Sequence, residues 1–123
     1  MNNQIRNIII INSIVLLFWI STLIYRKYYN TDIELLRNNI ISKCNGWCIG
    51  HFIHYIFLGY FAPKYWSYII VQGIIFEIFE YILSTLLSKY NFYIDYKLIQ
   101  DPITNTLGVI VGLLLTKVFD KTA

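Results

Sequence analysis

The chain has 123 residues, of which 57% are hydrophobic and only 14% are charged, against roughly 25% charged in soluble globular domains. This composition excludes a soluble domain, and a net charge of +3 without any basic block gives no indication of nucleic-acid binding. The length predicts a single domain over residues 1–123, and the composition predicts an integral, multi-pass membrane protein.

Four apolar segments predict an all-α bundle of four transmembrane helices. The first covers residues 8–25 and ends at Arg26 and Lys27. No small-residue cleavage site follows it, so we interpret it as a retained helix and not as a signal peptide. The other predicted spans, in chain order, cover residues 47–62, 65–88 and 102–119.

The segment between the first two spans, residues 30–43, predicts a short helix lying in the membrane interface. Thr31 and Glu34 have the spacing of a capping box. Four apolar residues fall roughly on one helical face: Ile33, Leu36, Ile40 and Ile41.

The basic residues predict an orientation. With four spans, the first and third loops share one side of the membrane and carry six basic residues, against four on the other side. The excess of Lys and Arg predicts that these two loops face the cytosol.

Glu77 and Glu80 stand near the middle of the third apolar segment. A charged side chain there costs about 2.5–3.5 kcal/mol on insertion scales. Their spacing of three places them on one helical face, which Gly73 and Ser84 extend. We therefore expect this face to point into the bundle.

Polar residues on the neighbouring segments match these glutamates in depth. His51 and His54 lie one to two turns into the second helix, and Asp101 lies in the first turn of the fourth. Asn105 continues the stripe of Asp101, which ends in a G-x-x-x-G packing motif at Gly108 and Gly112. The common depth predicts one water-accessible pocket that opens toward the first and third loops.

The chemistry of this pocket predicts a metal-dependent reaction on a phospholipid. Glu77, Glu80 and Asp101 are oxygen ligands suited to Ca²⁺, Mg²⁺ or Mn²⁺, and a bound cation would hold a lipid phosphate. His51 or His54 could act as general base on an incoming hydroxyl group. Asn105 would orient a ligand.

Each feature has a simpler interpretation. The glutamates could be protonated or paired with a lysine, and Asp101 before Pro102 could be an ordinary N-cap. Cys44 and Cys48 are too few for a disulfide framework and are expected to be small apolar fillers. Together with His51 they could instead bind zinc, although ligands on one continuous helix complete a tetrahedron poorly.

The ordered motifs resemble two membrane protein families. "GHFIHYIFLGYF" followed by E-x-x-E and "DPITNTLGVIVG" is similar to VanZ-like proteins. Glu77, Glu80 and the later Asp101 more closely resemble phosphatidylserine synthases of the base-exchange type, over roughly residues 45–115. This resemblance implies calcium-dependent exchange of a phospholipid headgroup for serine, metal-associated Glu77, Glu80 and Asp101, and a catalytic histidine at position 51 or 54.

We therefore expect a phosphatidyltransferase whose partners are a membrane phospholipid and a small hydroxyl or amine headgroup such as serine. A homo-oligomer is left open. The membrane would be of the endoplasmic reticulum type in a eukaryote or virus, or the plasma membrane in a bacterium. The alternatives are a proton- or ion-conducting or VanZ-like protein with a structural polar pocket, and a purely structural subunit.

Overall fold

The structure, a computed structural model, describes residues 2–29, 36, 38–41, 43–90 and 99–119. Its helices are α1 (Asn3–Tyr29), α2 (Gly46–Phe61), α3 (Trp66–Leu87) and α4 (Gln100–Phe119). Three helical stretches are long and apolar enough to cross a membrane: Asn3–Tyr29, Pro63–Tyr90 and Gln100–Phe119. These stretches support the prediction of a membrane protein.

Helix α2 does not meet the same criterion. Its 16 residues span about 24 Å, which is less than the hydrocarbon thickness of about 30 Å. The helix predicted over residues 47–62 is therefore present, but its role as a fourth span is not confirmed.

The helices alternate in direction along the chain. The side-chain amide of Asn7 in α1 donates a hydrogen bond to the carbonyl oxygen of Phe61, at the end of α2. At the other end of α2, the Trp47 ring lies 6.1 Å from the Phe18 ring. Helices α1 and α2 are thus antiparallel.

Helices α2 and α4 run parallel and approach closely at glycines. A Cβ atom on Gly108 would lie 2.7 Å from the carbonyl oxygen of Phe52, and one on Gly112 would overlap that of Ile56. Gly112 follows Gly108 by four residues, and Ile56 follows Phe52 by four residues, so successive turns of the two helices meet in the same order. This is the order expected for parallel helices. The predicted G-x-x-x-G motif therefore serves α2–α4 packing.

The distribution of side chains is that of a membrane protein. Large apolar side chains such as Leu17 and Ile75 are 67% and 60% exposed on the outside of the bundle. The inside contains a small apolar cluster that includes Leu58, Ile69 and Val109. Polar and charged residues are buried beside it, so the outer surface suits lipid and the interior suits a polar site.

A β-hairpin occupies part of the predicted interfacial helix. Strand β1 (Asn39–Ile41) pairs antiparallel with β2 (Cys44–Asn45). The prediction of a helix is wrong for Ile40 and Ile41, because adjacent β-branched residues fit a strand and the chain reverses immediately after them. The predicted capping-box residues Thr31 and Glu34, and Ile33, lie outside the described residues.

A disulfide joins Cys44 of β2 to Cys48 in the first turn of α2, with Cα atoms 5.2 Å apart. Between them, the side-chain oxygen of Asn45 caps α2 by accepting a hydrogen bond from the Cys48 amide at 2.9 Å. The interpretations of these cysteines as apolar fillers or zinc ligands are therefore wrong. Disulfides persist in oxidising compartments, which argues against the cytosolic orientation predicted for this end.

Candidate functional site

Four polar side chains of α3 and α4 are almost completely buried. Glu77 and Glu80 are 2% and 3% exposed, and Asp101 and Asn105 are 5% and 3% exposed. Carboxylates are expensive to bury without polar or charged partners. Their burial shows that they face the interior of the bundle and not the lipid-facing surface.

His51 of α2 lies beside Asp101 of α4. The distance between His51 Nε2 and Asp101 Oδ2 is 3.6 Å. Helix α4 begins at Gln100, so Asp101 lies within the first turn and is not the N-cap. A carboxylate beside an imidazole orients the ring and stabilises the charge that develops when the ring takes a proton. We call His51, Glu77, Glu80, Asp101 and Asn105 the polar site.

His54 points toward other neighbours. Its Nε2 atom lies 3.0 Å from Asn12 Oδ1 in α1. Asn12 also exchanges hydrogen bonds of 2.9 and 3.2 Å with Gln72 in α3. Residues three apart on a helix differ by about 60° in direction, which lets His51 contact α4 while His54 contacts α1. The structure therefore separates the two predicted histidines.

Gly73 marks the point where α3 meets both α2 and α4. A Cβ atom on Gly73 would lie 3.0 Å from the Tyr55 hydroxyl and 3.0 Å from Asn105 Nδ2. Gln72, Glu77 and Glu80 of α3 also lie in the surroundings of the Tyr55 hydroxyl. The missing side chain of Gly73 therefore brings Tyr55 and Asn105 together.

This contact fixes the relative level of the carboxylates. Glu77 lies one turn beyond Gly73 on α3, and Asp101 lies one turn before Asn105 on the antiparallel α4. Each step is about 6 Å along its helix axis, so Glu77 and Asp101 reach a similar depth. Glu80 lies a further turn toward the C-terminal end of α3.

Four other polar or aromatic residues belong to the interior and were missed from the sequence. Asn12 and Gln72 interrupt apolar runs, which was the signal that could have identified them, whereas Tyr55 lies among other aromatic residues and gave no such signal. Arg26 was interpreted only as the flank of the first span. It is 7% exposed, and its guanidinium carbon lies 5.2 Å from the Trp47 ring centroid, a cation–π distance.

The donor chemistry of the polar site fits a hard cation. Besides the carboxylates, the buried amide oxygens Gln100 Oε1 and Asn105 Oδ1 have no hydrogen-bond partner among the described residues, and Ca²⁺ prefers such oxygen ligands. Within the same part of the chain, however, no three His, Cys, Asp or Glu residues are grouped closely enough to hold an ion. A metal at Glu77, Glu80 and Asp101 therefore stays a prediction.

One comparison with known proteins gives a match. The family model described as "Phosphatidyl serine synthase" matches residues 16–123, a range that contains the whole polar site and His54. No curated protein and no solved structure matches the chain. The predicted VanZ-like grouping gains no support from these comparisons.

Proposed function

Because the chain belongs to the phosphatidylserine synthase family, we propose that it exchanges the headgroup alcohol of a membrane phospholipid for serine. Family membership supports a phospholipid-modifying membrane enzyme in general. The observation that carries the finer proposal is the His51–Asp101 pair, 3.6 Å apart, next to the buried carboxylates of α3. A general base in this position can activate the alcohol that attacks the phosphodiester group.

We assign the general base to His51. Its Nε2 atom lies 3.6 Å from Asp101 Oδ2, and in this scheme the imidazole ring takes the proton from the serine hydroxyl. The serine oxygen forms a new bond to phosphorus, and the bond between phosphorus and the original headgroup oxygen breaks. The proton on His51 then passes to the leaving alcohol. Asp101 is a positioning residue for the ring in this scheme.

His54 has a different task in this proposal. Its hydrogen bond to Asn12 holds the His54 ring between α1 and α3, away from Asp101. In this proposal His54 therefore stabilises the bundle and does not act as the base.

The proposal keeps a divalent cation, with Ca²⁺ as first choice. The residues proposed to hold it are Glu77, Glu80 and Asp101, whose oxygen donors suit a hard ion and which would have to move closer together to bind it. When bound, it would neutralise the charge of the phosphodiester group. Without a cation, three buried carboxylates would repel the phosphate.

The test is headgroup exchange by the purified full chain. Liposomes of phosphatidylcholine or phosphatidylethanolamine are mixed with the protein, labelled serine and Ca²⁺, with and without chelator. We expect labelled phosphatidylserine, lost on chelation and lost in Glu77→Gln. The matched control is Thr85→Val on the exposed face of the same helix. Absence of any labelled lipid with serine, ethanolamine or choline would refute the proposal.

One observation favours a second candidate function. Asn12, His54 and Gln72 form a polar network across α1, α2 and α3, inside helices that are otherwise apolar. Such a network could conduct protons across part of the membrane. This alternative predicts a pH change inside dye-loaded liposomes and no lipid turnover, with the flux abolished in His54→Asn.

A further inference from the structure

Arg26 is a buried cation that has no role in headgroup exchange as proposed. It lies in the last turn of α1, where an arginine of a membrane helix usually extends its charged group to water. Arg26 is instead only 7% exposed, whereas the next residue, Lys27, is exposed and donates to the carbonyl oxygen of Tyr90. A charged side chain kept inside a membrane helix bundle indicates a functional site.

The Trp47 ring holds the Arg26 guanidinium near the start of α2. The guanidinium carbon lies 5.2 Å from the ring centroid, and such a cation–π contact stabilises more when it is withdrawn from water. Trp47 precedes His51 by four residues, which is about one turn or 6 Å along the axis, and the two side chains leave the helix in directions about 40° apart. The guanidinium is therefore held at a level about one turn from the proposed base.

A contact between α1 and α3 relates Arg26 to the carboxylates. The Trp19 ring lies 5.5 Å from the Phe76 ring, and the two helices run in the same direction because directions alternate along the chain. Arg26 lies about 10 Å beyond Trp19 on α1, and Glu80 lies about 6 Å beyond Phe76 on α3. Side chains lean toward the N-terminus of their helix, so the Arg26 guanidinium lies near the level of Glu80.

A guanidinium group at this level complements the phosphodiester group of a phospholipid. The buried carboxylates of the polar site repel an anion, so a fixed cation beside them is needed to attract one. Guanidinium stays charged and presents paired N–H donors that match two phosphate oxygens. A phosphodiester group has two non-bridging oxygens that share one negative charge. A side chain already held in place also loses little entropy when it binds.

We propose that Arg26, supported by the Trp47 ring, binds the non-bridging oxygens of the substrate phosphodiester and holds the phosphorus atom within reach of the alcohol that His51 activates. Arg26 is then a lipid-binding residue and takes no part in proton transfer. This proposal rests on the proposed function for its substrate class, and it assigns the residue that recognises the phosphate.

The test measures lipid binding separately from turnover. Trp19→Phe and Trp66→Phe leave Trp47 as the one tryptophan of the chain, so that its fluorescence reports a ligand beside Arg26. Short-chain phosphatidylethanolamine is titrated onto this full-length protein in detergent at a fixed Ca²⁺ concentration. Diacylglycerol with the same acyl chains is the probe that lacks phosphate. We expect phosphatidylethanolamine to bind about tenfold or more tightly than diacylglycerol, as for hydrogen bonds between charged groups.

Three substitutions in this background test the assignment. Arg26→Gln should weaken the binding of phosphatidylethanolamine about tenfold or more and leave that of diacylglycerol unchanged. Arg26→Lys keeps the charge but loses the paired donors, so the affinity for phosphatidylethanolamine should fall about threefold or more. Lys27→Gln is the matched control, because it removes the same charge from the neighbouring exposed residue; its affinity should stay within about twofold of the background protein. Thermal unfolding in the same detergent reports whether each variant is folded.

The outcomes separate this proposal from the proposed function. A phosphate-selective loss in Arg26→Gln supports the assignment even if the protein exchanges no headgroup. Unchanged affinity for phosphatidylethanolamine in folded Arg26→Gln overturns it, and leaves the proposed function intact if exchange continues. Equal weakening of both lipids, or a loss that more Ca²⁺ restores, also overturns it. If Arg26→Gln does not fold, Arg26→Lys decides by the same criteria, and failure of both to fold overturns the assignment in favour of a structural role.

Discussion

Substituting Gly108 by alanine should separate α2 from α4 close to the polar site. The new Cβ atom would lie 2.7 Å from the carbonyl oxygen of Phe52, whereas ordinary contacts begin at 3.4 Å. The neighbouring atom is backbone and cannot rotate away, so the helices must part by about 0.7 Å, the difference between these distances. Phe52 is adjacent to His51, so this movement should lengthen the 3.6 Å His51–Asp101 distance.

The expected magnitudes follow from this displacement. Overpacking of this kind costs about 1–3 kcal/mol, of which alanine returns up to about 1 kcal/mol through its higher helix propensity. A net loss of about 1–2 kcal/mol in the free energy of unfolding is expected for Gly108→Ala. A misplacement of about 1 Å at a reacting group can lower a rate about 100-fold, so we expect headgroup exchange to fall at least about tenfold.

Gly112→Ala distinguishes the loss of stability from the loss of headgroup exchange. Its Cβ atom would overlap the backbone oxygen of Ile56 and lie 2.8 Å from the Tyr60 amide nitrogen. We expect at least as large a loss of stability but a smaller loss of exchange, because Gly112 is one turn farther from Asp101. Unfolding in detergent and serine exchange in liposomes are measured for both variants and for the control Gly50→Ala, where a Cβ atom meets nothing within 4 Å. Stability and exchange equal to those of Gly50→Ala would refute the close-packing argument.

Three further predictions concern individual contacts. His51→Asn should lower headgroup exchange about 100-fold or more, whereas His54→Asn should retain most of it; the reverse result in the same assay would show that the base is misassigned. Asn12→Val should lower the free energy of unfolding by about 0.6–1.7 kcal/mol, the range of interhelical hydrogen bonds in membranes, and an unchanged unfolding midpoint would contradict this. Cys44 and Cys48 should react with maleimide only after reduction, which mass spectrometry can measure; labelling before reduction would exclude the disulfide. Reduction should also lower the free energy of unfolding in detergent by about 2 kcal/mol, because the unfolded chain loses a closed loop.

Much of the helical architecture could be predicted because membrane helices are recognisable from length and composition alone. The apolar run before Arg26 predicted α1, and the burial of Glu77 and Glu80 followed from the cost of exposing carboxylates to lipid. Helical spacing also predicted that Gly108 and Gly112 form a packing face.

The sequence predictions failed where the contacts or conformation of a residue depend on a neighbouring segment of the chain. His51 and His54 share a helical face by spacing, but only the arrangement of α1 and α4 decides that one contacts Asp101 and the other Asn12. Ile40 and Ile41 fit an amphipathic helix by periodicity, yet pairing across a short turn places them in a strand. Tyr55 was indistinguishable in the sequence from the many tyrosines at membrane boundaries.

The shortness of α2 has a consequence for how a lipid would reach His51. Helix α1 has 27 residues and extends about 40 Å, whereas α2 has 16 and extends about 24 Å. The start of α1 lies beside the end of α2, where Asn7 is hydrogen-bonded to Phe61. Helix α2 is therefore shorter than α1 at its other end, which is the end that holds His51. Lipids adapt to a short apolar segment by local thinning of the bilayer. Local thinning of the leaflet beside α2 would bring the phosphate of a neighbouring lipid closer to the His51 imidazole, while the acyl chains of that lipid stay among other lipids.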